Sequence, residues 1–203
     1  MSDPKYLPAF SAWLHAMGED VLSLANQLEA ADAPVPVRQA SAAALLCLRR
    51  STELIPDGLE PLGYLELAFA FRVIAERALA DSPDPAAGEV LDSEVSAGEV
   101  SDGPLPPAAA PGRMARLAAD AALVGEFLGE DLPHFRERVL AAGSGERAGH
   151  SAAELLDDLE LQAPLLHDVR RWAEQYRAPE LGDGEEELVK IGSFFRTRLR
   201  RVS

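Results

Sequence analysis

The sequence predicts an all-α protein: a helical bundle of about six or seven helices with an acidic Pro/Gly/Ala-rich linker set into it. Three observations carry that class. Outside residues 81–112, apolar side chains recur every three to four positions almost without a break. No segment reaches five alternating residues with β-branched content, so no strand is predicted. Prolines and capping residues fall where helices should begin.

The elements follow in order. Pro8 and Ser11 open a helix carrying Phe10, Trp13, Leu14, Met17, Val21, Leu24 and Leu28 at helical spacing, which should end near Ala30 and Ala31. Pro36 suits the first turn of a second helix running to about Arg50, with Ala40, Ala43, Ala44, Cys47 and Leu48 inward. A third should start near Gly63 and reach about Ala80. It is apolar on nearly every side, which places it in a core or an interface. Its run Tyr64–Ala75 is interrupted only by Glu66 and Arg72, yet it is shorter than the ~20 residues that span a bilayer.

Beyond the linker, Met114–Leu128 predicts an Ala-rich helix, and Pro133 starts another with Phe135, Val139 and Leu140 facing in. Gly143, Gly145 and Gly149 mark a loop. Ser151 with Glu154 forms a capping box ahead of Leu155, Leu156, Leu159, Leu166, Val169, Trp172 and Tyr176. Pro164 lies inside that pattern and is expected to kink or divide it. The last helix should run from about Gly184 to Arg201, with Leu188, Ile191, Phe195, Leu199 and Val202 on one stripe.

Composition supports a folded chain: 47% of the 203 residues are hydrophobic and 26% charged. The net charge is −15 and unevenly spread: −4 over residues 1–80, −7 over 81–112 and −4 over 113–203. The middle stretch has no basic and no aromatic residue, and its like charges repel, so it reads as a linker or long surface loop. The organisation expected is an N-terminal helical part (1–80), that stretch (81–112) and a C-terminal helical part (113–203). Whether the two parts share a core stays open. The overall charge argues against nucleic acid, whose phosphates need several Lys and Arg contacts. A single cysteine, Cys47, excludes an internal disulfide and a Cys-based zinc site. The opening residues lack the basic-then-apolar signature of a signal peptide, so a cytoplasmic location is expected.

The junction of the second and third helices reads Glu53-Leu54-Ile55-Pro56-Asp57-Gly58-Leu59-Glu60-Pro61-Leu62-Gly63-Tyr64-Leu65-Glu66. It resembles the motif of the YkvA-like family, small bacterial helical proteins of unknown function. Glu53 stands at the first acidic position of that motif, Leu54 to Asp57 and Leu62 to Leu65 match, and Glu66 replaces the first Asp of its acidic pair. Gly58 replaces an apolar residue, the second proline is displaced to Pro61, and Leu67 replaces the second Asp. The resemblance covers residues 37–80 or so and implies a helical fold, with function open.

Physically, the motif reads as a helix–turn–helix corner in which Pro56 and Pro61 fix the connection and Gly63 frees the backbone. Asp57 suits the turn, and Glu60 the positive start of the third helix. The alternative reading gathers Glu53, Asp57, Glu60 and Glu66 as oxygen ligands for Mg²⁺ or Ca²⁺, the basis of a carboxylate-dependent enzyme. The absence of the second Asp at Leu67 weakens it.

No complete catalytic set emerges. His15, His134, His150 and His167 have no zinc-ligand spacing. Gly143-Ser144-Gly145 lacks the Lys-Ser/Thr of a phosphate loop, and no Gly-x-Ser-x-Gly elbow occurs. Glu154, Asp157, Asp158 and Glu160 read as a solvated face, and Cys47 as a buried thiol among alanines and leucines. No cofactor is expected.

The C-terminus is the remaining feature. Lys190, Arg196, Arg198, Arg200 and Arg201 occur with no acid from 190 onward, interleaved with Ile191, Phe194, Phe195 and Leu199. Such a helix packs its apolar stripe on the body, docks on an acidic partner, or lies on an anionic membrane. The reading carried forward is a non-enzymatic interaction or scaffolding protein. It would act through the apolar third helix or through Lys190, Phe194, Phe195, Arg196, Arg198, Arg200 and Arg201, on a protein partner or a second copy of the chain.

Overall fold

The structure, a computed structural model, describes residues 3, 5–54, 60–81, 111–143 and 150–200. Among them are eight α-helices, one short 3-10 turn and no strand. The helices are α1 (Tyr6–Glu29), α2 (Val35–Leu54), α3 (Glu60–Ala80), α4 (Pro111–Leu128), α5 (Leu132–Gly143), α6 (Ala152–Asp157), α7 (Leu159–Gln175) and α8 (Gly184–Arg200). The all-α class is as the sequence predicts. The helix boundaries differ from those expected in two places, and one of them adds a helix.

The first difference lies at α6 and α7. The chain divides at Asp158, not at Pro164. Asp158 adopts an extended conformation (φ −124°, ψ 102°), and its carboxylate accepts from the backbone N–H groups of Glu160 at 2.8 Å and Leu161 at 3.2 Å. That is an N-cap, which ends α6 and starts α7 in a single residue. Across the break, buried Gln162 donates its side-chain amide to the Leu155 carbonyl at 2.9 Å, satisfying an acceptor that the end of α6 leaves open. Pro164 then sits inside α7 without dividing it. The expected capping box is present, with Ser151 accepting from Glu154 N–H and the Glu154 carboxylate accepting from Ser151 N–H.

The second difference concerns α3, which begins at Glu60, three residues ahead of Gly63. Pro61 is therefore its second residue and not part of the connection. Its missing N–H would have had no intrahelical partner there anyway. Upstream, α2 runs four residues past Arg50 to Leu54 and stops ahead of Ile55-Pro56, where the residue before proline disfavours helix.

The two central helices are α2 and α3. Helix α2 buries Val37, Ala40, Ser41, Ala42 and Ala44 to Leu48, and it touches α1, α3, α5, α6 and α7. Its small side chains let five neighbours approach. Helix α3 buries Leu62, Leu65 and Leu67 to Ala75 and packs on α1, α2, α4, α5 and α8. The apolar side chains of this helix are thus satisfied inside the fold.

One hydrophobic cluster joins residues before and after the acidic stretch. At its centre Phe69 of α3 stacks on Phe195 of α8, with ring centroids 4.7 Å apart and planes 7° from parallel. Phe10 of α1 meets Phe127 of α4 edge-on at 4.9 Å. The described helices share one core, which answers the question that the sequence left open.

Candidate functional site

The functional candidates of the sequence are distributed by the packing of α8. Its stripe of Leu188, Ile191, Phe195 and Leu199 is buried in the common core. Phe195, expected among the contact residues, is therefore core, held by its stack on Phe69. Among the described residues no helix is long and apolar enough to cross a membrane.

Beside that stripe runs a different one. Lys190, Phe194 and Arg198 follow each other at four-residue steps, so they share a flank of α8. Phe194 is half-buried, in edge-on contact with Phe195, and the Arg198 guanidinium lies 5.8 Å from its ring centre. Lys190 is exposed and lies 3.3 Å from Glu187 within the same helix. Arg196 points to the exposed side of the helix. The Arg200 side chain and Arg201 lie outside the described residues.

Arg198 anchors the flank to the body at a cationic corner. Its Nε lies 2.8 Å from Oε2 of Glu66 on α3. Arg138 of α5 pairs with the other oxygen of the same carboxylate and also donates to the Arg198 carbonyl at 3.4 Å. Two guanidiniums from helices that follow the acidic stretch thus converge on one carboxylate from a helix that precedes it. Burial, and then the neighbouring Arg198 charge, lower the Arg138 pKa to about 10, so Arg138 stays charged near neutrality. The corner carries one positive charge in excess, and Arg198 keeps 40% of its side chain exposed.

Of the four carboxylates considered as cation ligands, only Glu66 has a described side chain, and its partners are these two arginines. Glu53 and Glu60 sit in the last turn of α2 and at the first residue of α3, and Asp57 lies outside the described residues. Among the described residues no group of three or more His, Cys, Asp and Glu side chains is arranged to hold a metal ion. His15, His134, His150 and His167 are exposed. Cys47 is buried, its Sγ 4.0 Å from the Val139 carbonyl.

A second charged cluster, which pattern reading did not find, lies between α1, α3 and α4. Arg72 is only 2% exposed, and its guanidinium sits 3.9 Å above the Trp13 ring. It donates to the Ala68 carbonyl at 2.9 Å and pairs with Asp120 at 3.2 Å. Asp20, 3% exposed, accepts from Arg113 at 2.6 Å, and Arg113 reaches on to Glu19 and the Ala16 carbonyl. Burial raises the Asp20 pKa above its ordinary 3.8, while Arg113 and Arg72 oppose that shift. Burial lowers Arg72 to about 10, with Asp20 and Asp120 opposing. The one sequence signal was Arg72 itself, an interruption in an apolar run, since a buried arginine requires an acid nearby.

An open groove of about 790 Å³ runs along the outer face of α7 beside the end of α1, lined in part by Glu29, His167, Arg170 and Glu174. Arg170 pairs with Glu29 across it, and Leu159 at its edge is 71% exposed. Its charges are mixed in sign and already partly paired, so it selects no ligand charge.

Compared with models of protein families, with curated proteins and with solved structures, the chain matches none. The corner therefore has to be interpreted from its own chemistry.

Proposed function

We propose that this chain is a non-enzymatic interaction module that recognises acidic polypeptide through the flank of α8 bearing Lys190, Phe194 and Arg198, together with Arg138 of α5. The observation that carries this reading is the sharing of Glu66 by two guanidiniums, in a chain whose net charge is −15. One further carboxylate at that corner balances the excess charge. Arginine offers a second carboxylate its remaining donors in a planar fork. The half-buried Phe194 ring beside it provides the aromatic element common to protein contacts.

The net charge weakens such binding without forbidding it, since at physiological salt charges more than about 8 Å apart are largely screened. The apolar third helix, the other contact surface that the sequence suggested, spends its apolar side chains in the core, which favours the flank of α8. The YkvA-like resemblance of residues 37–80 supplies a kinship to be tested but no activity, so the reading rests on the corner.

The test is a titration of a fluorescently labelled glutamate-rich peptide, carried to millimolar chain, at about 0.15 M salt. Arg198→Gln is expected to weaken binding at least fivefold, while Arg198→Lys, which keeps the charge, loses less. Equal binding by the wild type and Arg198→Gln over the whole titration would overturn the reading.

A further inference from the structure

We infer that a second copy of this chain docks on the outer side of α8, the two helices running antiparallel about a two-fold axis that passes level with residue 191. Glu185, Glu186, Val189, Ser193 and Arg196 fall within an arc of about 100° on α8. The buried stripe of Leu188, Ile191, Phe195 and Leu199 separates that arc from the flank with Lys190, Phe194 and Arg198. The surface is therefore distinct from the cationic corner, and the inference stands independently of the interaction reading. All five side chains are exposed, and Val189, at 60%, is one of the large apolar residues that the core leaves out.

Charge complementarity selects the occupant. The arc is acidic at the start of α8, apolar and small in the middle and basic towards the end. Glu187 pairs with Lys190, whereas Glu185 and Glu186 have no ion-pair partner among the described residues. A surface of opposite charge at its two ends matches its own reversed copy. With residue 191 as the centre, Glu186 of one copy comes level with Arg196 of the other, each five residues from the axis, about 7.5 Å at 1.5 Å per residue. Glu185 flanks the same arginine. Val189 comes level with Ser193, two residues from the axis, where the smaller side chain leaves room for the larger. Each of these contacts occurs twice, as a two-fold interface requires. A parallel pair would instead set Glu186 on Glu186 and Arg196 on Arg196, and like charges oppose it.

The charge of −15 on each copy weakens the pair without forbidding it, because at physiological salt repulsion beyond about 8 Å is largely screened. The contact occupies one face of one helix, at the small end of specific interfaces, so the dimer is expected to be weak and reversible.

The experiment is sedimentation equilibrium of four full-length chains at about 0.15 M salt, carried to millimolar concentration after circular dichroism has verified equal helix content. They are the wild type, Arg196→Glu, Glu185→Lys/Glu186→Lys, and the combination of all three changes. The wild type is expected to approach twice the monomer mass, and the first two variants to self-associate at least fivefold more weakly. Those two variants shift the net charge in opposite directions, so a loss in both reports local pairing and not bulk repulsion. The combined variant exchanges both ends of the arc and is expected to regain the dimer.

A wild type that stays monomeric over the whole range would overturn the inference, as would a dimer indifferent to all three variants. A combined variant that stays as weak as the other two, while an equimolar mixture of those two dimerises, would show a parallel pair and overturn the antiparallel one. Should the charge changes unfold α8, Val189→Lys alters an exposed residue that the fold does not need. It is expected to weaken the dimer at least fivefold, and wild-type self-association by that variant would overturn the inference.

Discussion

The two most consequential single residues are the buried ions Arg72 and Asp20. A guanidinium at 2% exposure is tolerable only because Trp13, the Ala68 carbonyl and Asp120 replace its water. Removing it leaves Asp20 with Arg113 alone and empties the space over the Trp13 ring. Arg72→Ala should cost about 3 kcal/mol or more, the range for breaking a buried ion pair, read as a lowered urea midpoint. Arg72→Met, which refills the space without the charge, should recover part of that loss.

Asp20 leads to a prediction of opposite sign to ordinary acid denaturation. Its native pKa is raised by burial above the 3.8 of the unfolded chain. Between those two values the native state holds a proton that the unfolded state has lost. By linkage, this group's contribution to stability falls as pH rises through that window and is larger on its acid side. The stability difference between wild type and Asp20→Asn, measured by urea unfolding from pH 4 to 7, should therefore move against the wild type as pH rises and then level off. A difference that moves in its favour would place the Asp20 pKa below 3.8.

At the scale of the element, α8 is fixed by its aromatic residue and placed by its arginine. Phe195 is fully enclosed and stacked on Phe69, so Phe195→Ala should cost about 3–5 kcal/mol. Phe194, one residue earlier and half-exposed, should cost far less on the same change. The ratio of the two in thermal or urea unfolding checks which face of α8 is core. The short-range features of the other elements were legible in the sequence for the same kind of reason. Apolar spacing located α1 and the stripe of α8, and Ser151 with Glu154 announced the start of α6 because a capping box is complete within four residues.

Where the sequence pattern misled, two local signals competed. Pro164 was a visible helix breaker, but Asp158 caps two N–H groups, and Gln162 closes the gap from a turn further on. The candidate site was legible by halves. Glu66, Lys190, Phe194 and Arg198 each stood out by charge or motif, whereas Arg138 shows nothing in its own helix that points to Glu66. Pairings between residues so distant in sequence leave no periodic trace. The same holds for Asp20 with Arg113, 93 positions apart.

For the molecule as a whole, the decisive feature is that the acidic stretch interrupts the chain without interrupting the core. Helix α4, the first after the stretch, lies along α3, the last before it, and α7 returns to pack on α1. Neither half can then bury its apolar surface alone. The two tryptophans report on this independently. Trp13 of α1 sits against Arg72 and Phe69, before the stretch in sequence, while Trp172 of α7 lies after it, stacked on Tyr176 and edge-on to Tyr64. With Trp13→Phe and Trp172→Phe made singly, the remaining indole follows one half at a time. The urea transitions of the two variants should each coincide with loss of helix by circular dichroism, as expected of one cooperative unit. A Trp172 transition that precedes both helix loss and the Trp13 transition would mean that residues 113–203 come away first. The single core built around Phe69, Phe127 and Phe195 would then not govern the stability of the protein.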